Sequence, residues 1–411
     1  MSMLRAALDP ATVVVAVDPG KVLNRVWVSD GTGWLERPVS VPVSLAGAEQ
    51  VERLVLAHPS AWGPVIAVEA TGSLHRGFVA ALERRWPGST RLFAPSETRA
   101  ARTQLGSARF KTDDRDCAAL TYLARQGAGR PHIDEVAIDT LCAAVRHRRR
   151  LVADRKVAQQ RLHDQLNALC PGLSAPAGQG RGLAIDSSTG QAVLACAVAF
   201  EGRAPTARSL TSRAPGRMTT ATAGYWVERW KGCLPPPPDA PGRAQRLGRD
   251  LVRYLSLRVD IDAMEAEIVT LLAGTDGQVL TSLPGVATTR AAAFAAHSLP
   301  ISKFPDAEHL YSATGLAPAM YQSASISRRG RISRQGLAEH RDALMGIAWG
   351  LSTYSPAFAA RDAEYRARGM TPIQARVALA RHACRLAFRL LTTQQPFDEE
   401  RYRRGRLSRG R

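Results

Sequence analysis

Four carboxylates in the first third of the chain stand where an ionised acid is costly unless something uses it. Asp18 ends the apolar run Val13-Val14-Val15-Ala16-Val17 just before Pro19-Gly20, and Glu69 ends Val65-Ile66-Ala67-Val68. Each reads as the last residue of a strand buried on both faces, and an unpaired carboxylate in such a place is expensive. In Lys111-Thr112-Asp113-Asp114-Arg115-Asp116, helical spacing turns Asp113 and Asp116 to one face and Asp114 away from it. Four carboxylates brought to one point repel. A divalent cation relieves that repulsion, and a donor set of oxygens alone selects Mg²⁺ or Mn²⁺. Such a site can polarise phosphate oxygens and orient an in-line displacement. Singly these residues have plainer readings. Asp-Pro-Gly is a strand-ending turn, and Thr112-Asp113-Asp114 is a helix N-cap followed by first-turn acids. The combination carries the metal reading.

A second constellation lies near the C-terminus. Leu283-Pro284-Gly285-Val286-Ala287, followed by a small-residue helix, has the form of a helix-hairpin-helix turn, with Gly285 bringing backbone amides to a DNA phosphate. Its bland reading is a tight helix–helix turn. Further on come Gly315-Leu316-Ala317-Pro318, Tyr321-Gln322-Ser323-Ala324-Ser325, and Ser327 to Gly336, which contains Arg328, Arg329, Arg331 and Arg334. A polar loop of this kind either grips phosphate or presents a serine hydroxyl to a scissile phosphate, with arginines stabilising the developing charge. Those four arginines and Lys111 are the candidate nucleic-acid contacts.

The elements that must hold these residues can be read from periodicity. Residues 11–130 read as an α/β unit. Strands are expected at 13–17, 65–69 and 91–94, a hairpin at 26–28 and 34–41, and helices at 45–57, 74–85 and 112–126. That order matches a ribonuclease H-like fold. Residues 135–170 and 244–273 carry leucine, isoleucine and valine at helical spacing, which predicts an antiparallel helical hairpin, either a coiled coil or an ordinary core-facing pair. Between them, 171–243 is a Gly- and Pro-rich insertion. Its Pro235–Pro238 run is expected to be extended polyproline II, and Trp226 and Trp230, at helical spacing, are expected in a small core. Residues 279–395 read as mainly helical and 396–411 as an Arg-rich tail, of which 401–411, with six Arg in eleven residues, is expected to be a disordered polyanion-binding end. The fold class is thus α/β plus α.

Composition names the partner. The 411 residues hold 55 Lys plus Arg against 36 Asp plus Glu, a formal net charge of +19, which points to a polyanion and away from an ordinary neutral metabolic enzyme. Only five of those cations are lysine, a skew that a GC-rich coding sequence also produces, so the net charge is the firmer clue. Hydrophobic residues at 45% exclude wholesale disorder. Six widely spaced cysteines without a Cys-x-x-Cys pair exclude a zinc module or disulfide framework and fit a reducing cytosol. No secretory signal and no run of about 18 apolar residues is present, so a cytoplasmic, nucleoid-associated bacterial protein without a membrane partner is expected. There is also no GxxxxGK[ST] loop.

Taken together, the two constellations resemble one family: the DEDD transposases of the insertion-sequence "one-ten" group, the bridge-RNA-guided recombinases. The resemblance rests on Asp18, Glu69 in Val-Glu-Ala-Thr-Gly, Asp113 and Asp116 in Lys-Thr-Asp-x-x-Asp, then Leu-Pro-Gly-Val, Gly-Leu-Ala-Pro, Gln-Ser and Gly-Arg-Ile-Ser-x-x-Gly in that order. It implies a RuvC-like N-terminal domain, a helical coiled coil and a C-terminal transposase domain. It implies further that Asp18, Glu69, Asp113 and Asp116 hold Mg²⁺ and that Ser323 is the nucleophile. Its partners would be DNA (element ends and target), a structured noncoding guide RNA, and copies of the chain itself in a dimer or tetramer. One departure is plain: the family shows Gln-Ser-Gly, and here Ala324 follows Ser323, with Ser325 and Ser327 close by. A glycine needed for a left-handed backbone would make alanine cost about 1 kcal/mol. Two rival readings share the acids or the charge: a RuvC-like junction nuclease using metal-activated water, and a nucleic-acid-binding protein without catalysis.

Overall fold

A computed structural model describes the backbone of residues 7–59, 63–106, 111–132, 136–174, 182–323 and 326–407, and the same side chains except those of 319–331 and 405–407. The chain divides into two compact units, residues 1–135 and 136–411.

The first unit runs β1 (Val14–Asp18), β2 (Leu23–Ser29), β3 (Val39–Pro42), α1 (Leu45–Leu56), β4 (Val65–Glu69), α2 (Leu74–Glu83), β5 (Thr90–Phe93), α3 (Pro95–Gln104), α4 (Asp113–Arg125) and β6 (Arg130–Pro131). The strands make one six-stranded mixed sheet ordered β3-β2-β1-β4-β5-β6. β1 pairs parallel with β4 and β4 with β5; the remaining pairs are antiparallel. This order is compatible with the expected ribonuclease H-like arrangement. β1 is an unbroken apolar run because both of its faces are covered. Val13, Val15 and Val17 share a core with α1 and α2, while Val14 and Ala16 share one with Cys117, Leu120 and Ala124 of α4.

Three details differ from the sequence expectation. β2 starts at Leu23, and its hairpin partner is only Val39–Pro42, with Trp34 joined to Ser29 by an isolated bridge; Pro38, which has no amide to donate, marks where pairing resumes. The helix α3 and the short edge strand β6 were not expected at all. α3 starts with Pro95 in its first turn, and the Glu97 carboxylate accepts the Ala94 amide at 2.6 Å, a start signal that is visible in the residues.

The second unit contains α5 (Val136–Leu169), α6 (Ser188–Ala199), α7 (Ala207–Ser212), α8 (Thr220–Lys231), α9 (Ala240–Ala273), α10 (Thr288–Ser298), α11 (Ala307–Ala313), β7 (Pro318–Ser323), β8 (Ile326–Ile332), α12 (Ala338–Tyr354), α13 (Pro356–Ala367), α14 (Pro372–Thr393) and α15 (Glu399–Leu407), with short 3₁₀ turns at Asp276–Ser282 and Ile301–Lys303. α5 and α9, each 34 residues long, lie antiparallel: Arg148 pairs with Glu265 and Gln165 with Asp250. The two ends of this pair enter different cores. Leu141, Ile268 and Leu272 join α10 to α14, whereas Leu162, Leu166, Leu247 and Tyr254 join α6 to α8.

The insertion is therefore a folded helical subdomain, built on the buried Trp226 and Trp230 and closed by the Trp230 indole N–H donating to the Gly202 carbonyl at 2.8 Å. The polar stretch around 321–336, expected as a loop, contains the antiparallel hairpin β7–β8. The tail also departs from the expected disorder. Glu399 of α15 accepts from the Ser355 hydroxyl and the Ala357 amide, and Tyr402 stacks on Phe358 at 5.1 Å. Residues 408–411 lie outside the described residues. Among the described residues no helix is long and apolar enough to cross a membrane, and none of the six cysteines is in a disulfide.

Candidate functional site

Sheet register brings the first two acids together. Val14 to Val17 of β1 pair in parallel with Val65 to Val68 of β4, so Asp18 and Glu69 are the next residues at the same sheet end. Both continue the face that carries Val14, Ala16 and Ala67, the face covered by α4. α4 runs antiparallel to β1: near its start the Cys117 thiol donates to the Arg25 carbonyl at 3.4 Å, and beyond its middle Arg125 donates to the Thr12 carbonyl at 2.5 Å. The N-terminus of α4, with Asp113 and Asp116, is thereby carried to the end of β1 where Asp18 stands. Thr112 caps the helix, its hydroxyl accepting the Arg115 amide at 3.3 Å.

Charge reports the convergence. The Asp18 carboxyl is raised from 3.8 to about 7, first by burial and then by the negative charges of Asp116, Glu69 and Asp113, with Lys111 acting in the opposite sense. Each neighbouring acid is held differently. The Thr71 hydroxyl donates to Glu69 Oε1 at 2.7 Å. Asp114 faces away, and its Oδ1 accepts from Arg25 Nε at 2.6 Å. Asp116 is 3% exposed; its Oδ1 is taken by the Arg102 guanidinium, itself only 13% exposed, and its Oδ2 lies 4.0 Å from the Lys111 ammonium.

The donor set is of the right chemistry for a hard divalent ion, and the Asp18 carboxyl lies half-buried among like charges. The geometry does not match. Among the described residues no three acid, histidine or cysteine side chains stand close enough to share one ion, and Asp116 already faces two cations. In this conformation the acids are gathered but do not form a coordination sphere.

The remaining expected residues lie in the second unit. Ser323 ends β7 and pairs with Ile326 across the hairpin, with 324–325 outside the described residues. Ser325 therefore cannot be compared with Ser323, and the side chains of Ser323, Ser327, Arg328, Arg329 and Arg331 are likewise outside them. Arg334, exposed and at φ 55°, follows the hairpin, and its amide donates to the Gly315 carbonyl at 3.0 Å. Gly285 does occupy a left-handed turn, φ +71°, but the turn is filled by its own neighbours. Arg290 Nη1 donates to its carbonyl at 2.6 Å while lying over the Trp349 ring, and a Cβ at 285 would stand 2.8 Å from the Gly350 carbonyl.

Arg102 is the site residue that sequence reasoning missed. It sits on the unexpected α3, and nothing in its immediate neighbours marks it. Only the Pro95 and Glu97 helix start could have drawn attention to the element that carries it.

Comparison with known proteins finds a match in each half of the chain. Residues 15–171 match a family profile described as "Transposase", of the DEDD type of IS110, and residues 277–363 match one described as "Transposase IS116/IS110/IS902 family". A curated relative, the "Insertion element IS110 uncharacterized 43.6 kDa protein" of Streptomyces coelicolor, is 35% identical over 130 residues, which is 31% of this chain and 32% of that protein. The match thus spans about a third of the relative's length. The two profiles together match more than half of the chain, in order from N- to C-terminus, and on that ground the protein belongs to the IS110 family of transposases.

Proposed function

We propose that this protein is a DNA transposase that moves its own element by cleaving and exchanging DNA strands. The observation that carries the reading is the placement of Asp18 and Glu69 at one sheet end beside Asp113 and Asp116 at the start of α4, where the Asp18 carboxyl is raised to about 7. A basic protein gains nothing in stability from gathering carboxylates there, so they serve a reaction. The strand order β3-β2-β1-β4-β5 supports a RuvC-like, ribonuclease H-like domain of residues 11–130. Asp18, Glu69, Asp113 and Asp116 would be the residues to hold Mg²⁺ or Mn²⁺, which would supply counter-charge to the cluster.

Ser323 is the nucleophile in this reading. Its Oγ forms a bond to a DNA phosphorus as one phosphodiester P–O bond breaks, the hydroxyl proton leaves the serine, and the released deoxyribose oxygen takes up a proton. The exchanged ester keeps the bond energy, so religation by reversal needs no nucleotide hydrolysis. Ser323 is the last residue of β7, paired with Ile326 of β8. Arg328, Arg329, Arg331, Arg334 and Lys111 grip phosphates and position without reading sequence. Gly285 offers less to a phosphate than its motif promised, since Arg290 and Trp349 already use the turn. A structured guide RNA supplies target and donor choice by base pairing. The α5–α9 pair acts as a coiled-coil stalk in a dimer or tetramer, and the acids of one copy meet the serine of another.

The test is strand exchange on DNA carrying the element's ends, with RNA transcribed from the flanking DNA. Wild type is expected to exchange strands and to leave a phosphoserine–DNA adduct on quenching; Ser323→Ala is expected to do neither. Persistence of hydrolytic cleavage in Ser323→Ala, with no adduct in wild type, would replace this reading with the junction nuclease. Unchanged behaviour of Asp18→Ala in every assay would leave only a binding protein.

A further inference from the structure

The acids gather without closing round an ion, and one residue accounts for that. Arg102 reaches from α3 to Oδ1 of Asp116 in a pair that is almost wholly buried, 13% and 3% exposed. A guanidinium is planar, permanently charged and weakly hydrated, which makes it the cation best suited to a buried carboxylate. Its burial is costly unless the partner stays charged and in place. On the other side of the same carboxylate, Lys111 is 73% exposed and 4.0 Å from Oδ2, so it is a loose neighbour that solvent can replace. Asp114, next along α4, is engaged by Arg25 outside the cluster and cannot relieve Arg102. Among the described residues, Arg102 is the cation at the cluster that is both largely buried and in direct contact with an acid.

We propose that Arg102 is a resident counter-cation that takes the electrostatic place of the divalent ion at Asp116 and must yield it before an ion can bind. The inference rests on the reading of Asp18, Glu69, Asp113 and Asp116 as a metal site. Its content is a competition. While Arg102 holds Oδ1, Asp116 offers at most one oxygen and the cluster carries one unit less negative charge. When Arg102 swings out, both oxygens and the full charge become available, and a second cation no longer repels the incoming ion. The site then stays weak for metal until the guanidinium finds another partner, for which a nucleic-acid phosphate has the matching bidentate geometry. Arg102 is thus a positioning residue that acts through Asp116.

The test is Mn²⁺ binding to the full chain, followed by loss of the free-ion electron paramagnetic resonance signal. Removing a charge a few ångströms from a divalent ion is expected to tighten binding by about tenfold or more in Arg102→Gln. Arg102→Lys, which keeps the charge on a more mobile stem, falls between that variant and wild type, and Asp116→Asn binds least. Equal or weaker Mn²⁺ binding in Arg102→Gln overturns the competition while leaving the metal reading intact. Absence of Mn²⁺ binding in wild type and Arg102→Gln alike overturns both. Should Arg102→Gln fail to fold by circular dichroism, the Arg102 resonance of wild type decides. The Arg102 Nε–H resonance, identified by its absence in Arg102→Lys, is expected to shift and lose its protection from solvent exchange on addition of Mg²⁺. An unmoved resonance overturns the proposal.

Discussion

The end of β1 and the turn at Gly285 looked alike as sequence, each a short motif with a glycine beside it and a nucleic-acid role in prospect. As structure they are opposites. Around Asp18 like charge is concentrated: Asp116, Glu69 and Asp113 stand close enough to a half-buried carboxyl to push its proton on. Around Gly285 everything is satisfied: the carbonyl is taken by Arg290, the guanidinium lies on Trp349, and the missing Cβ is filled by Gly350 and Tyr354. The difference separates a place where negative charges crowd one carboxyl from a place that locks two helices together. Both use a glycine.

That contrast can be broken by mutation. The largest effect is expected of Asp18→Asn, which lowers strand cleavage by roughly 10³-fold or more while leaving the metal-free fold as stable or more so, because it removes repulsion. A large loss of thermal stability in this variant would mean that the acids hold the fold together. Gly285→Ala is expected to do the reverse. It forces a side chain into a left-handed turn against Gly350 and Tyr354 at a cost of about 2–4 kcal/mol, read by denaturant unfolding, with activity falling only as the folded fraction falls. Arg290→Ala removes one hydrogen bond and one ring contact, about 1–2 kcal/mol by the same measurement; a selective loss of DNA affinity at full stability would instead make the turn a contact.

The smallest effect is on pH. Because the folded Asp18 carboxyl is raised from 3.8 to about 7, its protonated form favours the native state. That contribution is complete below pH 4 and is lost as pH rises through 7. His297 and His340, pushed down by burial to about 4 and about 3, slope the other way: their contribution is present above the ordinary histidine range and is lost as pH falls. The difference in Tm between wild type and Asp18→Asn isolates the carboxyl. It is expected to grow by about 2–4 °C between pH 4 and pH 7 in metal-free buffer, and a flat difference would mean that Asp18 is not under charge stress.

How much of this was legible follows from what each residue must satisfy locally. β1 and β4 were visible because strands covered on both faces leave an unbroken apolar run, and the acids were visible because they interrupt it. That Asp114, which meets Arg25, turns away from Asp113 and Asp116 follows from helical spacing alone. What stayed hidden depends on partners distant in sequence. α3 has an undistinguished composition, and its Arg102 acquires meaning only when α4 folds against it. The hairpin β7–β8 read as a loop because its serines and arginines lack the alternation of a half-buried strand. The subdomain α6–α8 was masked by its prolines and glycines, although Trp226 and Trp230 hinted at its core. The tail was taken by its charge, whereas Glu399 and Tyr402 fasten it to α13.

The α5–α9 pair has a mechanical consequence. At 34 residues each, the two helices run about 50 Å, with a hydrophobic core clamped to either end. Sliding one helix along the other by a single turn would have to undo both cores at once, together with the cross-links Arg148–Glu265 and Gln165–Asp250. Such a beam resists shear and gives way more readily in bending. A load applied to the subdomain at one end arrives at α10 to α14 as a tilt, and the length of the lever, rather than any local softness, sets how far the far end travels.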